Sequence, residues 1–305
     1  MTLVVGVTSP KSIWLLTDRR LSAPGRTPTD RARKFLMLET TDGRSLIGYS
    51  GLGATALGNE PGDWMSRVLR GRNLSVDQSI GVLAQAAKER LIPHIEKMRT
   101  NTVRGHVIVA TAQVNGKPEV FHVDMHRWPH SKQYSFLHTR YEVPHPLPAS
   151  PTTPRVIAAG SGAIPLDAHR SWMRPLLRMV RAYDDERVWQ WAVARHLAQI
   201  NQRVAKIVPT VGQRCIVSWF SNRGGGHEFY DGDEIDNTPG DRRIPQISLG
   251  VDSLAFMDAI FTPEERMAAL QQAEPGRAPT LPPFDIDAIN ARLGALVMKP
   301  DESIE

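Results

Sequence analysis

Apolar and polar positions at the start of the chain fall in short runs whose period predicts the first elements. Residues 2–8 and 12–18 are apolar and β-branched runs on either side of "TSPKS", and they read as the two strands of a hairpin. A second pair, 34–40 ("KFLMLET") and 45–51 ("SLIGYSG"), flanks the turn signal "TDGR". The period then changes. Residues 75–98 place Ile80, Leu83, Ala87, Leu91 and Ile95 at helical spacing behind Ser75 as N-cap, and Pro93 is expected to kink or end that helix. Strand patterning returns over 105–125 around the hairpin centre "NGKP".

A Pro-rich connection (144–154) leads to "RVIAAGSGA", a strand closing on a Gly-flanked turn. Two helical stretches follow, about 163–180 and 183–206, the second with Val188, Trp191, Ala192, His196 and Ile200 on one side. Residues 214–220 are strand-like. From 222 onward the chain is rich in Gly and Asp and reads as loop, with short helical candidates at 263–273 and 284–297. Strands arrive in hairpin groups and not as alternating βα units, which favours an α+β fold of antiparallel sheets with helices on their outer faces. The expected organisation is a main domain over 1–221 and a loop-rich C-terminal extension over 222–305.

Composition narrows the function classes. Of 305 residues, 41% are hydrophobic and 23% charged, enough apolar content for a substantial core. No apolar run reaches the roughly 18–20 residues that span a bilayer, so no membrane partner is expected. The net charge of +5 is spread along the chain without zinc-finger spacing or an aromatic-basic pattern, so no nucleic-acid partner is expected either. One cysteine, Cys215, permits no internal disulfide. With no secretory-leader pattern, it points to a reducing, cytoplasmic setting.

The candidate chemistry lies at four positions: Thr2, Asp18, Lys34 and Gly48. Asp18 closes the second strand, Lys34 opens the third, and Gly48 lies in the fourth, so two adjacent hairpins can bring them to the first residue of strand one. A threonine hydroxyl is a weak nucleophile, but a free α-amine on the same residue can take its proton. Removal of Met1, usual before a residue as small as threonine, would expose that amine. A nearby Lys34 ammonium lowers the pKa values of hydroxyl and amine, Asp18 would hold Lys34, and the Gly48 N–H would meet the oxyanion.

These residues resemble the proteasome β-subunit family of N-terminal-nucleophile (Ntn) hydrolases, with its bacterial threonine peptidases. The resemblance rests on Thr2, then "TDRRLS" sixteen residues on, "RARKFLML" after another sixteen, and "IGYSGLGATA" fourteen later. It extends to "VFHVDM" (120–125) and "AAGSGA" (158–163), whose Ser161 would polarise the Thr2 amine, and so covers residues 2 to about 220. One departure stands in "KIVPTVGQRC": Thr210 and Gly212 occupy the family's Ser and Gly positions, but its acidic residue has no counterpart. The resemblance implies a four-layer αββα sandwich and a threonine endopeptidase that uses no metal or other cofactor. It also implies a peptide or unfolded-protein substrate, a homo-oligomeric ring or related assembly, and an ATP-dependent unfoldase as partner. By the same resemblance Leu21, Ala32, Leu36, Leu46, Ser50 and Ala54 would line a pocket for a neutral or hydrophobic side chain. The alternative is a catalytically inactive scaffold with the same fold, whose tail mediates assembly; a third reading is an amidase for a small non-peptide substrate.

Other signals carry less. His122, Asp124 and His126 alternate along one strand, a spacing that suits an exposed polar face better than a metal site. "GYSGL" lacks the closing Gly of a nucleophile elbow, "NRGGGH" lacks the Lys-Ser/Thr of a phosphate loop, and Cys215 reads as inert core.

Overall fold

The computed structural model is a mixed α+β fold with two large sheets that share one apolar cluster, and each sheet shares a further cluster with helices. The structure describes residues 2–21, 28–51, 60–97, 106–127, 134–140, 154–182, 187–237, 244–261 and 286–296. Strands β1 (Val4–Thr8), β2 (Ser12–Asp18), β3 (Phe35–Glu39) and β4 (Gly43–Ser50) are the two hairpins read from the alternation. The structure splits them between sheets. β1 and β2 join β8 (Arg155–Ala159), β9 (Arg214–Ser221), β10 (Gly224–Asp231) and β11 (Glu234–Ile235) in the order β11-β10-β9-β2-β1-β8. β3 and β4 join β5 (Val107–Val114), β6 (Lys117–Arg127), β7 (Tyr134–Arg140), β12 (Gln246–Ser248) and β13 (Val251–Asp252) in the order β13-β12-β3-β4-β5-β6-β7. Among the described residues all strand pairings are antiparallel except that of β12 with β3.

The facing surfaces bury Val4, Ile13, Leu15 and Phe220 from one sheet against Phe35, Met37, Leu46, Val107 and Val109 from the other. Gly48 sits in this seam. A Cβ there would lie 2.9 Å from both Thr17 Cγ2 and Val4 Cγ1, so the glycine sets how closely the sheets approach.

Behind the second sheet lie α1 (Pro61–Leu69) and α2 (Val76–Lys97), which bury Trp64, Met65, Val68, Ile80, Leu83 and Ala87. The helix over 61–69 was missed because nine residues give little periodicity, although Pro61 in its first turn is a start signal. Pro93 neither ends nor breaks α2: it lies on the exposed side, where water can bond the carbonyl that loses its N–H partner. The stretch read as one helix over 163–180 is α3 (Ala163–Ala168), a 3₁₀ turn and α4 (Met173–Ala182). α5 (Arg187–Ala205) turns Val193, Ala194, Leu197, Ala198 and Val204 to the first sheet, and leaves Trp191 exposed instead of in the expected stripe.

The loop reading of the segment after 222 gives way. β10 pairs with β9 over its whole length, and its glycines are packing residues: a Cβ at Gly225 or Gly226 would strike the Phe220 or Trp219 ring directly opposite. Beyond it, β12 extends the second sheet and α6 (Ser253–Ile260) follows β13. The helix expected at 284–297 is α7 (Ile286–Leu296), while the candidate at 263–273 lies outside the described residues.

Asp252 ties this late segment to α1. Its carboxylate caps α6 through the Ala255 N–H (3.0 Å) and accepts from Ser66 Oγ (2.7 Å) and Arg70 Nη2 (2.7 Å). Asp252→Ala is therefore expected to cost about 2–3 kcal/mol, from a lost cap and a stranded arginine. Asp252→Asn, which keeps the cap, is expected to cost less. Urea unfolding of the full chain measures both.

Candidate active site

Three strand ends converge on one point between the sheets. Thr2 precedes β1, Asp18 ends β2 and Lys34 immediately precedes β3. All three are sequestered from solvent, with relative exposures of 1%, 0% and 1%. Lys34 Nζ lies 2.7 Å from Thr2 Oγ1 and 3.3 Å from Asp18 Oδ1, and it also donates to the Arg20 carbonyl. An ammonium carries three protons, and these three acceptors use them.

Asp18 is held in turn by the backbone. Its Oδ1 accepts from the Leu3 N–H (2.9 Å), and its Oδ2 from the N–H groups of Arg20 and Gly212 (both 3.1 Å). A buried carboxylate is tolerable only with such partners. Gly212 was read from the sequence as a counterpart of a family glycine; its bond to Asp18 is the reason the position matters here. A Cβ at Gly212 would also press on Asp30 Oδ1 (2.8 Å) and Arg20 Cβ (2.9 Å). Those two residues form an ion pair, and Arg20 Nη1 donates to the Pro209 carbonyl.

On the far side of Thr2 is the turn after β8. Gly160 has φ +86°, and a Cβ there would lie 2.0 Å from the Thr2 carbonyl oxygen, so no other residue fits. The Gly162 N–H approaches the same oxygen at 3.4 Å. Ser161 Oγ bonds Thr210 Oγ1 at 3.0 Å, joining this turn to the loop before β9. The structure thus brings Thr2, Asp18, Lys34 and the turn carrying Ser161 to one place.

Gly48 does not belong with them. It lies inside a central strand between Phe35 and Val109, facing Val4, Thr17 and Leu15, so its peptide is committed to the ladder and it is no oxyanion donor. The pocket set also divides. Leu36 packs toward α1 and α2 and Leu46 between the sheets, because strand alternation sends them to opposite faces away from any cleft. Leu21 bridges to Thr29, and the buried Ala32 donates its N–H to the Arg19 carbonyl (3.0 Å). Ser50 comes close to Thr2: its Oγ is 2.5 Å from the same forbidden Gly160 Cβ position, and it has no hydrogen-bond partner among the described residues. Ala54 lies outside the described residues. The sequence analysis missed the pair beneath Gly51, where the Tyr49 hydroxyl is 2.6 Å from His106 Nδ1; no spacing rule links residues so far apart in the chain.

Cys215 is buried beside Asp18 in the sheet, and burial pushes its thiol upward, in keeping with an inert core residue. His122 Nδ1 pairs with Asp124 Oδ2 at 2.6 Å on β6. No helix among the described residues is long and apolar enough to cross a membrane.

No family model matches the chain. No curated protein is significantly similar to it. Solved structures of Anbu (ancestral beta-subunit) proteins do align with it, loosely. The one from Yersinia bercovieri has 14% identity and a TM-score of 0.42, over 77% of this chain and 84% of that one. The helical assembly of the Anbu complex from Pseudomonas aeruginosa gives 13% and 0.44, over 77% and 88%. A Gly-1 mutant of Anbu from Hyphomicrobium sp. strain MC1 gives 13% and 0.42, over 90% and 98%. The expected place in the proteasome β-subunit family is therefore corrected: the structures found are those of Anbu proteins, and likeness this slight assigns no family. The unfoldase partner, which rested on that family alone, is not carried forward.

Burial is the largest influence on Lys34 and lowers its pKa from 10.5, against the opposing pull of Asp18. Below the lowered value the amine is charged whether folded or unfolded, and the folded protein bears the full cost of burying it. Above that value the fold releases a proton that the unfolded chain still holds, so stability rises with pH until 10.5 is reached. Lys34→Met is expected to flatten that rise in urea midpoints taken from about pH 7 to about pH 10.

Proposed function

We propose that the chain is an N-terminal threonine amide hydrolase acting on peptides, on a four-layer αββα sandwich. One observation carries the reading: a fully buried Lys34 ammonium stands 2.7 Å from the Thr2 hydroxyl oxygen. A donor in that position stabilises the alkoxide character that develops as Oγ attacks a carbonyl. Removal of Met1 supplies the base, because the freed α-amine sits on the attacking residue itself.

In the first half-reaction the amine accepts the Oγ proton while Oγ bonds the scissile carbonyl. The tetrahedral adduct then breaks its C–N bond, and the departing amine takes the proton held by the α-ammonium. Water, deprotonated by the same α-amine, hydrolyses the ester left on Thr2. With Gly48 in the ladder, the oxyanion donor this register offers is Gly51. The Tyr49 N–H bonds the Lys34 carbonyl (3.0 Å), so the N–H two residues further leaves β4 on the same edge, beyond the start of β3. In this reading the Ser161–Thr210 hydroxyl pair, joined at 3.0 Å, accepts from the amine. A homo-oligomeric, cytoplasmic protein acting on extended or unfolded chains fits this reading.

A second reading, a catalytically silent scaffold, draws on the loop before β9: Thr210 supplies a hydroxyl there, and the stretch "KIVPTVGQRC" holds no carboxylate to polarise the amine. Three measurements decide. Intact-mass analysis of purified protein is expected to show loss of Met1. Thr2→Ala is expected to abolish cleavage of a fluorogenic peptide library and labelling by an epoxyketone, while Thr2→Ser retains both. Lys34→Ala is expected to lower turnover by about 10²–10³-fold, the usual worth of one such donor. Equal turnover by wild type and Thr2→Ala would overturn the mechanism.

A further inference from the structure

The first sheet ends in a strand whose outer edge is almost bare. β11 pairs only with Tyr230 and Asp231, and among the described residues no other strand pairs with β10 on that side. The Asp236 N–H donates to the Phe229 carbonyl (2.8 Å), so the odd-numbered residues of β10 turn their peptide groups outward. Gly225 and His227 thus point both N–H and C=O away from the sheet. Edge strands are ordinarily guarded by lysine, proline or a bulge. The sequence "GGGHE" (224–228) has no such guard, and Gly225 and His227 are exposed.

The surroundings of this edge carry opposite charges at its two ends. Arg223 stands before it, and Asp233 and Glu234 stand beyond it. Alongside runs α5, whose Trp189 and Trp191 are 36% and 43% exposed. Trp191 borders two cavities. One, of about 450 Å³, is lined by Trp219, Arg223 and Gly224–Gly226. The other, of about 560 Å³, is lined by Arg195, Tyr230, Asp233, Glu234 and Ile235.

We propose that a second copy of this chain docks on this edge, its β10 antiparallel to the first about a two-fold axis at Gly226. Gly225 then faces the partner's His227, and His227 faces the partner's Gly225, each pair exchanging two backbone hydrogen bonds. The same rotation turns Arg223 of each copy toward the acidic end of the other, so the charges at the two ends of the edge are complementary. A two-fold perpendicular to the sheet keeps both α5 helices on one face, so the exposed tryptophans flank a common seam. An unrelated extended peptide would satisfy the edge but not the reciprocal charges. That is why the second copy is the occupant.

His227→Pro tests this without touching the β9 ladder, because it removes an N–H that points outward. Light scattering of the full chain is expected to give half the wild-type mass for this variant. Arg223→Glu is expected to cause the same loss, and Arg223→Glu combined with Glu234→Arg to restore the wild-type mass. A monomeric wild type at high micromolar concentration, or His227→Pro at the wild-type mass, would overturn the proposal. Should His227→Pro lose its far-UV circular dichroism, the charge-reversal pair decides: no loss with Arg223→Glu, or no recovery in the double variant, also overturns it.

Discussion

A lysine ammonium withdrawn from water must find an acceptor for each of its protons, and Lys34 satisfies that demand from the start of β1 and the end of β2. Thr2, Asp18 and Arg20 supply the acceptors. Asp18 then needs its own donors, and takes them from Leu3, Arg20 and Gly212. The charge pair consequently fixes the start of β1, the end of β2, the approach to β3 and the loop before β9 relative to one another. A buried pair of this kind adds little net stability compared with apolar packing, but breaking it is costly. Its effect is positional: it sets where the Thr2 oxygen lies.

That precision depends on how closely the sheets pack. Val4, Leu15 and Thr17 press onto the bare face of Gly48, so the strand ends bearing Thr2 and Asp18 are brought against the one bearing Lys34. Closeness excludes water, and exclusion of water strengthens each electrostatic contact at the site. The glycine first taken for a catalytic donor thus acts through packing. The turn at Gly160 works on the opposite side, where only a residue without a side chain lets the backbone approach the Thr2 carbonyl.

What could be read in the sequence was local or evenly spaced. The two opening hairpins, α2, β9 and the positions of Thr2, Asp18 and Lys34 follow from alternation and from intervals along the chain. What escaped was decided by partners remote in sequence. Gly48 lies in an unbroken apolar run, and only the opposite sheet shows that its face is filled. Leu36 and Leu46 are both apolar, and the register alone sends one toward α1 and α2 and the other between the sheets. β10 reads as loop because three glycines carry no hydrophobic pattern, although each of the last two lies beneath an aromatic ring of β9. α1 is too short for its period to stand out.

The parallel pairing of β12 with β3 bears on how the molecule is made. The Pro245 carbonyl accepts from the Met37 N–H (3.0 Å), and Gln246–Ser248 complete the edge of the strand that begins next to Lys34. A ribosome adds this segment roughly two hundred residues after Lys34. Until then β3 has a neighbour on one side only, and the lysine at its head lacks a rigid mount. The meeting point of Thr2, Asp18 and Lys34 is therefore braced by a strand made roughly two hundred residues after the last of the three.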